Sequence, residues 1–509
     1  MGSFSPDQPR HSSAPVTGVG QAGFVKRHGS YTPEQASAAE AVASQIRERE
    51  LRTVRLTVVD QHGHPRSKSL DPEVAIAAMS NGLDFSGAIW SLDGGNQVFV
   101  PPFAAGGGFG IDEFTGFPDI VLVPDPATFR VLPWADRTGW MLCDTYFSNG
   151  QPMPLDGRGL MRRMLAELGE AGYRYLAGIE IEYYIVKLTG EPITPENAGF
   201  TPPPPSVSVF ERGYQYLSEV RLDSVTGVLE ALRDGLAAVG LPPRSMEDEW
   251  GPGQMEFSFS PISGLAAADA VVLFRSAVKQ ICQRRGLLAT FMCRPALPNF
   301  FSSGWHLHES LLSRPDGRNV FASDDDYLSP AGRQFVAGLL EHAMPMTVFS
   351  APTVNGYKRF RPYSFAPDRV CWALENRGAL IRAQGAPGDS GSHVENRMGE
   401  PAANPYFYMA ANIAAGLDGS RRKLAAPPPV EADPYAAEAP MLPTSLAAAV
   451  GALERDTFFR KAFGDTLIDY LLQMKRAELA RYDAAVAENP PPEGQDVTDW
   501  EMREYFEFY

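Results

Sequence analysis

The sequence predicts an α+β fold in which helices are interspersed with short strands. The run Gly178-Ile-Glu-Ile-Glu-Tyr-Tyr-Ile-Val186 alternates polar and apolar residues, as a half-buried strand does. Leu160, Met164, Leu165 and Leu168 instead recur at helical spacing and form one apolar stripe. The polar members of the strand-like runs carry most of the chemistry-bearing residues, so strands are expected to hold the site.

Taken in order, residues 1–30 are rich in Gly, Ser, Pro and Gln and read as a disordered tail. Thr32-Pro33-Glu34 is a helix start, with Thr as cap, Pro in the first turn and an acid behind it, and the helix runs to about Glu50. Val54–Val59 reads as a strand ended by the turn Asp60-Gln-His-Gly63, and further strands fit 120–123 and 140–143. Residues 31–147 therefore form a small α+β unit. The remaining chain, 148–509, opens with a helix over 157–172. It then mixes helices (225–238, 264–285, 330–345, 404–418, 465–487) with short strands. The Pro-rich stretch near 201–206 and the segment 425–440 read as surface loops.

The 509 residues suffice for roughly two to four domains of ordinary globular composition, 44% hydrophobic and 21% charged. A net charge of −16 argues against nucleic acid or an anionic membrane as a general partner. No run approaches the ~20 apolar residues of a membrane span, and the amino end lacks a secretory pattern. Cys143, Cys282, Cys293 and Cys371 have no paired spacing, so neither a zinc site nor a disulfide framework is indicated. A cytoplasmic protein is expected.

Glu180 and Glu182 point to one face of their strand, where two carboxylates repel unless a cation lies between them. Alone, the pair could equally mark a strand with a wet acidic face. Four other segments argue for chemistry. The turn within Glu249-Trp-Gly-Pro-Gly-Gln-Met-Glu256 lets two more carboxylates converge. His306, His308 and Ser310 share a strand face, in a chain with eight histidines. Arg359, Arg377 and Arg382 lie in otherwise apolar text, and arginine forks grip carboxylates and phosphates. Glu395 and Arg397 share another face. Five glutamates and His306 are thus candidate ligands for Mg²⁺ or Mn²⁺ ions that would in turn hold the phosphates of ATP.

In order and spacing these motifs resemble the glutamine synthetase superfamily. They are Glu-x-Glu at 180 and 182, Glu-x-x-Pro-Gly-Gln-x-Glu at 249–256, Gly-x-His-x-His-x-Ser at 304–310, Asn-x-Tyr-Lys-Arg at 355–359, Asn-Arg-x-x-x-x-Arg at 376–382 and Glu-x-Arg at 395–397. The resemblance implies an amino-terminal β-grasp domain and a catalytic domain whose curved antiparallel sheet forms a funnel, with ATP entering at one end and glutamate at the other. By position, Glu182, Glu249 and Glu256 would hold one metal, and Glu180, His306 and Glu395 a second. His308, Ser310, Arg377 and Arg382 would serve ATP, with Arg359 and Gly304 serving glutamate. Arg397 would stabilise the phosphorylated intermediate. Asp60 would deprotonate the incoming amine from a neighbouring subunit, which implies a homo-oligomer, commonly a dodecamer of two hexameric rings.

Two departures bear on the substrate. Family members that use ammonia read Lys-Arg-x-x-Pro-x-x-Glu-Ala-Pro in the flap over the site, whereas this chain reads Lys358-Arg-Phe-Arg-Pro362-Tyr-Ser-Phe365-Ala-Pro367. Phe365 takes the place of the glutamate that cages ammonium and offers an apolar wall. The family's Asn-Gly-Ser-Gly becomes Phe301-Ser-Ser-Gly304, which alters the loop lining the glutamate pocket. The expected activity is ATP-dependent joining of the γ-carboxylate of glutamate to a small primary amine, apolar or aromatic, through a γ-glutamyl phosphate. The resemblance extends to the branch containing γ-glutamylpolyamine and γ-glutamylanilide synthetases. The alternatives are glutamine synthetase itself and a catalytically silent relative.

Overall fold

A computed structural model of the protein describes residues 18–190, 193–199 and 201–509. The first sheet contains β1 (Thr53–Val59), β2 (Pro65–Leu70), β3 (Leu83–Ser86), β4 (Asp119–Pro124), β5 (Arg130–Val131) and β6 (Thr138–Tyr146). Their order is β2-β1-β6-β4-β3, with β5 also paired to β6. Only β1 and β6 run parallel among these described strands. Three helices accompany the sheet: α1 (Gly23–His28), α2 (Pro33–Glu48) and α3 (Pro72–Asn81). At the start of α2 the Thr32 hydroxyl accepts from the Gln35 N–H, and the Gln35 side chain accepts from the Thr32 N–H. This reciprocal cap satisfies two donors that an open helix end would waste.

The expected disordered tail is corrected in part. Residues 1–17 lie outside the described residues, but α1 falls inside the range assigned to the tail. Phe24 and Val25 are buried with Val121 and Val123 of β4, so two apolar residues anchor a segment whose average composition is polar. The helix α3 was not expected, although Asp71-Pro72-Glu73 carries the same start signal as Thr32-Pro33-Glu34, and the Asp71 carboxylate accepts from the Glu73 N–H at 2.9 Å.

After α4 (Gly157–Glu170) come β7 (Tyr173–Leu188), β8 (Val207–Val209), α5 (Glu219–Ala238), β9 (Pro243–Asp248), β10 (Gln254–Ser263), α6 (Leu265–Gln283), β11 (Leu287–Thr290) and β12 (Trp305–Ser313). The chain continues through α7 (Pro330–Glu341), α8 (Ala343–Ser350), β13 (Trp372–Leu374), β14 (Ile381–Gln384), β15 (His393–Gly399) and α9 (Pro405–Arg422). It closes with α10 (Leu446–Arg455), α11 (Phe458–Phe463), α12 (Asp465–Glu488) and α13 (Asp499–Tyr505). The strands form a curled second sheet of order β13-β14-β15-β12-β7-β10-β9, with β8 and β11 paired to the far end of β7. Its described pairs are antiparallel apart from β13–β14.

The long strand β7 divides the two environments. Tyr175, Ala177, Ile179, Ile181 and Tyr183 are buried on one face, where the Tyr183 ring meets Phe257, Phe274 and Phe291 at centroid distances of 5.6, 5.7 and 5.0 Å. Gly178, Glu180 and Glu182 take the other face, as the alternation requires.

The single helix expected over 330–345 is two, broken at His342 (φ −102°, ψ 10°). The break puts Pro345 in the first turn of α8, where its missing N–H leaves no helical bond unmade. It also lets the His342 ring stack on Phe458 at 3.7 Å and bond Asp418 at 2.8 Å.

Behind the sheet, α7 and α9 cross at Gly338 and Gly419. A Cβ added at Gly338 would lie 2.0 Å from the Ala415 carbonyl oxygen, and one at Gly419 would lie 2.1 Å from that of Gln334. We predict that Gly338→Ala costs about 3 kcal/mol through overpacking. Chemical denaturation should show the loss as a lower midpoint at unchanged slope, whereas an unshifted midpoint would mean that the helices separate freely.

Candidate active site

The register of the second sheet explains why residues so far apart in sequence meet. Arg382 on β14 lies opposite Glu395 on β15, which lies opposite His308 on β12, which lies opposite Gly178 on β7. In the next row His306, Glu180 and Ser258 are partners, and in the row after it Glu182, Glu256 and Glu247. Neighbouring rows on one face of a sheet place side chains within reach of one another. Gly178 leaves space, since a Cβ there would sit 3.0 Å from that of His308.

His306 is the hub. Its Nδ1 lies 2.5 Å from Glu180 and 3.7 Å from Glu395, while its Nε2 lies 3.8 Å from Glu182. His308 Nε2 reaches the second oxygen of Glu180 at 3.2 Å, and its Nδ1 faces His393 Nε2 at 3.1 Å. Among the described residues, two groups have ligand atoms mutually within 4.8 Å: Glu180, His308 and Glu395, and Glu180, Glu256 and His306. Glu180 belongs to both groups. His306 lies within 4 Å of both Glu180 and Glu395, and His308 flanks the same pair. Glu182 accepts from the Gln254 amide at 3.1 Å, and Glu249 accepts from the Trp250 N–H at 3.2 Å in the turn before β10.

The electrostatics fit a site for hard cations. Burial, and then the nearby Glu182, pushes Glu249 up to about 8. Burial with the charges of Glu180 and Glu182 pushes Glu256 up to about 10. Burial also raises Glu182, against the pull of His306 and Arg359. Glu180 goes the other way, because its hydrogen bonds to His306 and His308 outweigh its burial. Burial likewise opposes ionisation of Glu395, but Arg397 and the two histidines hold it below the usual range. Oxygen donors with imidazole, crowded and buried so that ionisation is costly without a cation, suit Mg²⁺ or Mn²⁺.

Arginines ring this cluster. Arg359 is buried and donates to the Arg397 carbonyl at 2.9 Å, close against Gly304. A Cβ at Gly304 would meet an Arg359 nitrogen at 2.6 Å, so only glycine permits that approach. Arg382 donates to Glu395 at 3.2 Å and Glu375 at 2.7 Å. Arg397 pairs with Glu395 and donates to the Phe365 carbonyl at 3.0 Å. The Nε atoms of both Arg382 and Arg397 are buried without a partner. Arg377 sits exposed on the turn between β13 and β14, apart from these pairs. Ser310 and His308 line a cavity of about 370 Å³ with Arg244, Asn319 and His393.

Within its own chain Asp60 is bonded into the turn after β1. Its carboxylate accepts from the His62 and His64 N–H groups, both at 2.9 Å, and pairs with Arg66 at 2.8 Å. The residue is 2% exposed, and although burial opposes ionisation, His62 and Arg66 hold it below the usual range. Within one chain Asp60 therefore shapes the turn after β1 and is not brought to the glutamate cluster; an occupied, weakly basic carboxylate is a poor proton acceptor.

Phe365 lies on the flap with 64% of its surface exposed and a left-handed backbone, φ 58°, as has Tyr363. The segment 425–440, expected to be a plain surface loop, props this flap. Tyr435 donates to the Ala366 carbonyl at 3.0 Å, and Tyr363 donates to Asp433 at 3.0 Å. Gln254, Glu247 and His393 were passed over in the sequence. Glu247 and His393 lie two residues from Glu249 and Glu395, so the period of a strand could have found them.

A curled sheet whose concave rows combine clustered carboxylates, histidines and part-spent arginines defines an enzyme class that handles phosphate and carboxylate together. Comparison with known proteins narrows it. Residues 154–505 match the family described as glutamine synthetase, catalytic domain. The γ-glutamylanilide synthase of an Acinetobacter species is 46% identical over 95% of this chain and 98% of its own length. The γ-glutamylethanolamide synthetase of Streptomyces coelicolor is 33% identical over 77% and 80%. The glutamine synthetase of Pyrococcus abyssi is 31% identical over 89% and 96%. The solved structure of GmaS without ligand superposes with a TM-score of 0.74 at 28% identity, covering 91% of this chain and 98% of that one. The chain belongs to the glutamine synthetase family, and it is a ligase. Enzymes of that family use ATP and divalent metal ions. Among the described residues no helix is long and apolar enough to cross a membrane.

The raised carboxyls give a signed prediction. Glu249 and Glu256 have folded values of about 8 and about 10 against an ordinary 4.5. Their stabilising protonated forms are complete below the unfolded value and are lost as pH rises through the folded ones. In chelator the melting temperature should therefore fall from about pH 5 towards about pH 10. Added Mg²⁺ displaces those protons, so its stabilisation should be larger at about pH 9 than at about pH 6. Scanning calorimetry checks both, and a pH-independent effect of Mg²⁺ would contradict the assignment.

Proposed function

We propose that this enzyme joins the γ-carboxylate of glutamate to an apolar or aromatic primary amine, using ATP with Mg²⁺ or Mn²⁺. The observation that carries this reading is Phe365. It occupies the flap position where ammonia-using relatives have glutamate, its carbonyl is tied to Arg397 and its ring is free. The 46% identity with a protein named γ-glutamylanilide synthase supports it. An arylamine is uncharged at neutral pH and arrives with its nitrogen lone pair available, so it needs no anionic cage. Ammonium does, and a phenyl ring cannot provide one.

In this reading Arg359 binds the α-carboxylate of glutamate beside Gly304. Arg382 and Arg377, with His308 and Ser310, hold the phosphates of ATP. The γ-phosphoryl group passes to the γ-carboxylate oxygen, converting a poor electrophile into an acyl phosphate and releasing ADP. Arg397, next to Glu395, neutralises charge on that intermediate. The amine nitrogen then attacks the acyl carbon, phosphate leaves, and the γ-glutamylamide is released. Glu180, Glu182, Glu249, Glu256, Glu395 and His306 would hold the divalent cations, which would supply charge neutralisation at the transferring phosphate. The protein is further proposed to be cytoplasmic and to work as a ring oligomer, commonly a dodecamer. Asp60 then reaches the amine only from a neighbouring copy and only when its pair with Arg66 opens.

A phosphate-release assay on the purified enzyme with glutamate, ATP and a panel of amines tests this. Aniline or alkylamines should exceed ammonium in kcat/KM by tenfold or more, on the order expected for pocket discrimination. Phe365→Glu should shift that ratio towards ammonium by a similar factor. Equal use of ammonium by the wild type would favour glutamine synthetase instead.

A further inference from the structure

One basic cluster lies outside all of this chemistry. Arg275 and Lys279 of α6 line a cavity of about 330 Å³, together with Arg55 of β1 and His64 of the following turn. Trp140 and Phe291 provide apolar wall, and Phe508 lines it as well. Arg275 is 8% exposed, yet its Nε and Nη2 nitrogens find no acceptor. The rings of Trp305 and Phe291 lie 5.4 and 5.9 Å from its guanidinium carbon, and Tyr509 and Glu400 act on its charge. Arg55 donates to the Gln280 side chain at 2.9 Å, and Lys279 to main-chain oxygens of Glu507, Phe508 and Tyr509 at 2.6–3.0 Å. Among the described residues no Asp or Glu side chain forms an ion pair with Arg55, Arg275 or Lys279. In a chain of net charge −16, acids to pair with are abundant elsewhere.

A buried guanidinium with unmade hydrogen bonds is costly, and the cost is removed by an anion that accepts from it. We propose that this cavity is a second binding site, separate from the glutamate cluster, for a small oxyanion bearing a carboxylate or phosphate group. Arg275 grips the anion from within, and Arg55 adds positive potential at its edge, while Lys279 is committed to the main-chain oxygens beside it. The aromatic wall accommodates a compact organic remainder. Trp305, which lies against Arg275, directly precedes His306 on β12, so Arg275 stands between the cavity and the strand that carries the two histidines.

Isothermal titration of the full-length protein with inorganic phosphate and with succinate, without nucleotide, tests the site. Arg382→Gln serves to weaken anion binding at the glutamate cluster. A binding event is expected that persists in Arg382→Gln and weakens about tenfold or more in Arg55→Gln and Arg275→Gln. Arg55→Gln should keep its phosphate-release rate at saturating substrates within about twofold, and it keeps the test decisive should Arg275→Gln fail to fold. Tighter binding of phosphate assigns a phosphoryl ligand, tighter binding of succinate a dicarboxylate, and either supports the site. The proposal is overturned if neither binds below about 10 mM, or if the event disappears in Arg382→Gln and survives in Arg55→Gln.

Discussion

Like-charge crowding on the concave face of one sheet governs this structure. Glu180, Glu182, Glu249, Glu256 and Glu395 converge there, and two unit charges about 4 Å apart repel by about 4 kcal/mol at the effective dielectric of a protein surface. A few such pairs would rival the entire net stability of a domain, about 5–15 kcal/mol. The fold tolerates them through specific compensation. His306 lies within 4 Å of three of the five, Arg382 and Arg397 hold Glu395, and burial beside the other acids raises Glu249 and Glu256. An arrangement this expensive has a physical purpose only where charge must be gathered and neutralised during reaction.

The support for that crowding lies on the opposite face of the same strands. Ile179, Ile181 and Tyr183 pack into an aromatic layer with Phe257, Phe274 and Phe291, and such close-packed layers resist displacement. A rigid sheet holds mutually repelling side chains at fixed spacing, because moving one acid away would drag its neighbours on the buried face out of register. The flap follows a different logic. Arg397 and Tyr435 hold it by the carbonyls of Phe365 and Ala366, so the anchoring does not depend on which side chain stands at 365. The side chain at 365 can therefore change without loosening the flap.

Reading the sequence succeeded where chemistry and period coincide. The two-residue alternation located β7, β10, β12 and β15 and placed their glutamates and histidines on one face, and start signals located α2. It failed where a local signal was overlooked, as at Asp71-Pro72 before α3. It failed again where contacts distant in sequence overrode composition, as when Phe24 and Val25 found an apolar niche beside β4, or when His342 broke a helix by stacking on Phe458. The flap's dependence on Tyr435 and Asp433 had no local signal at all.

By itself, then, the sequence placed Glu180, Glu182, Glu256, His306, His308 and Glu395 on shared faces of their strands. Side-chain period and motif spacing are properties of the chain and need no partner to be read. Only the tertiary structure decided that Glu180 lies between both histidines, because ring orientation and strand register depend on elements far apart in the sequence. It alone committed Asp60 to its own turn, and it alone left the Arg275 guanidinium buried and unsatisfied between α6 and the first sheet, since burial is a property of the packed molecule.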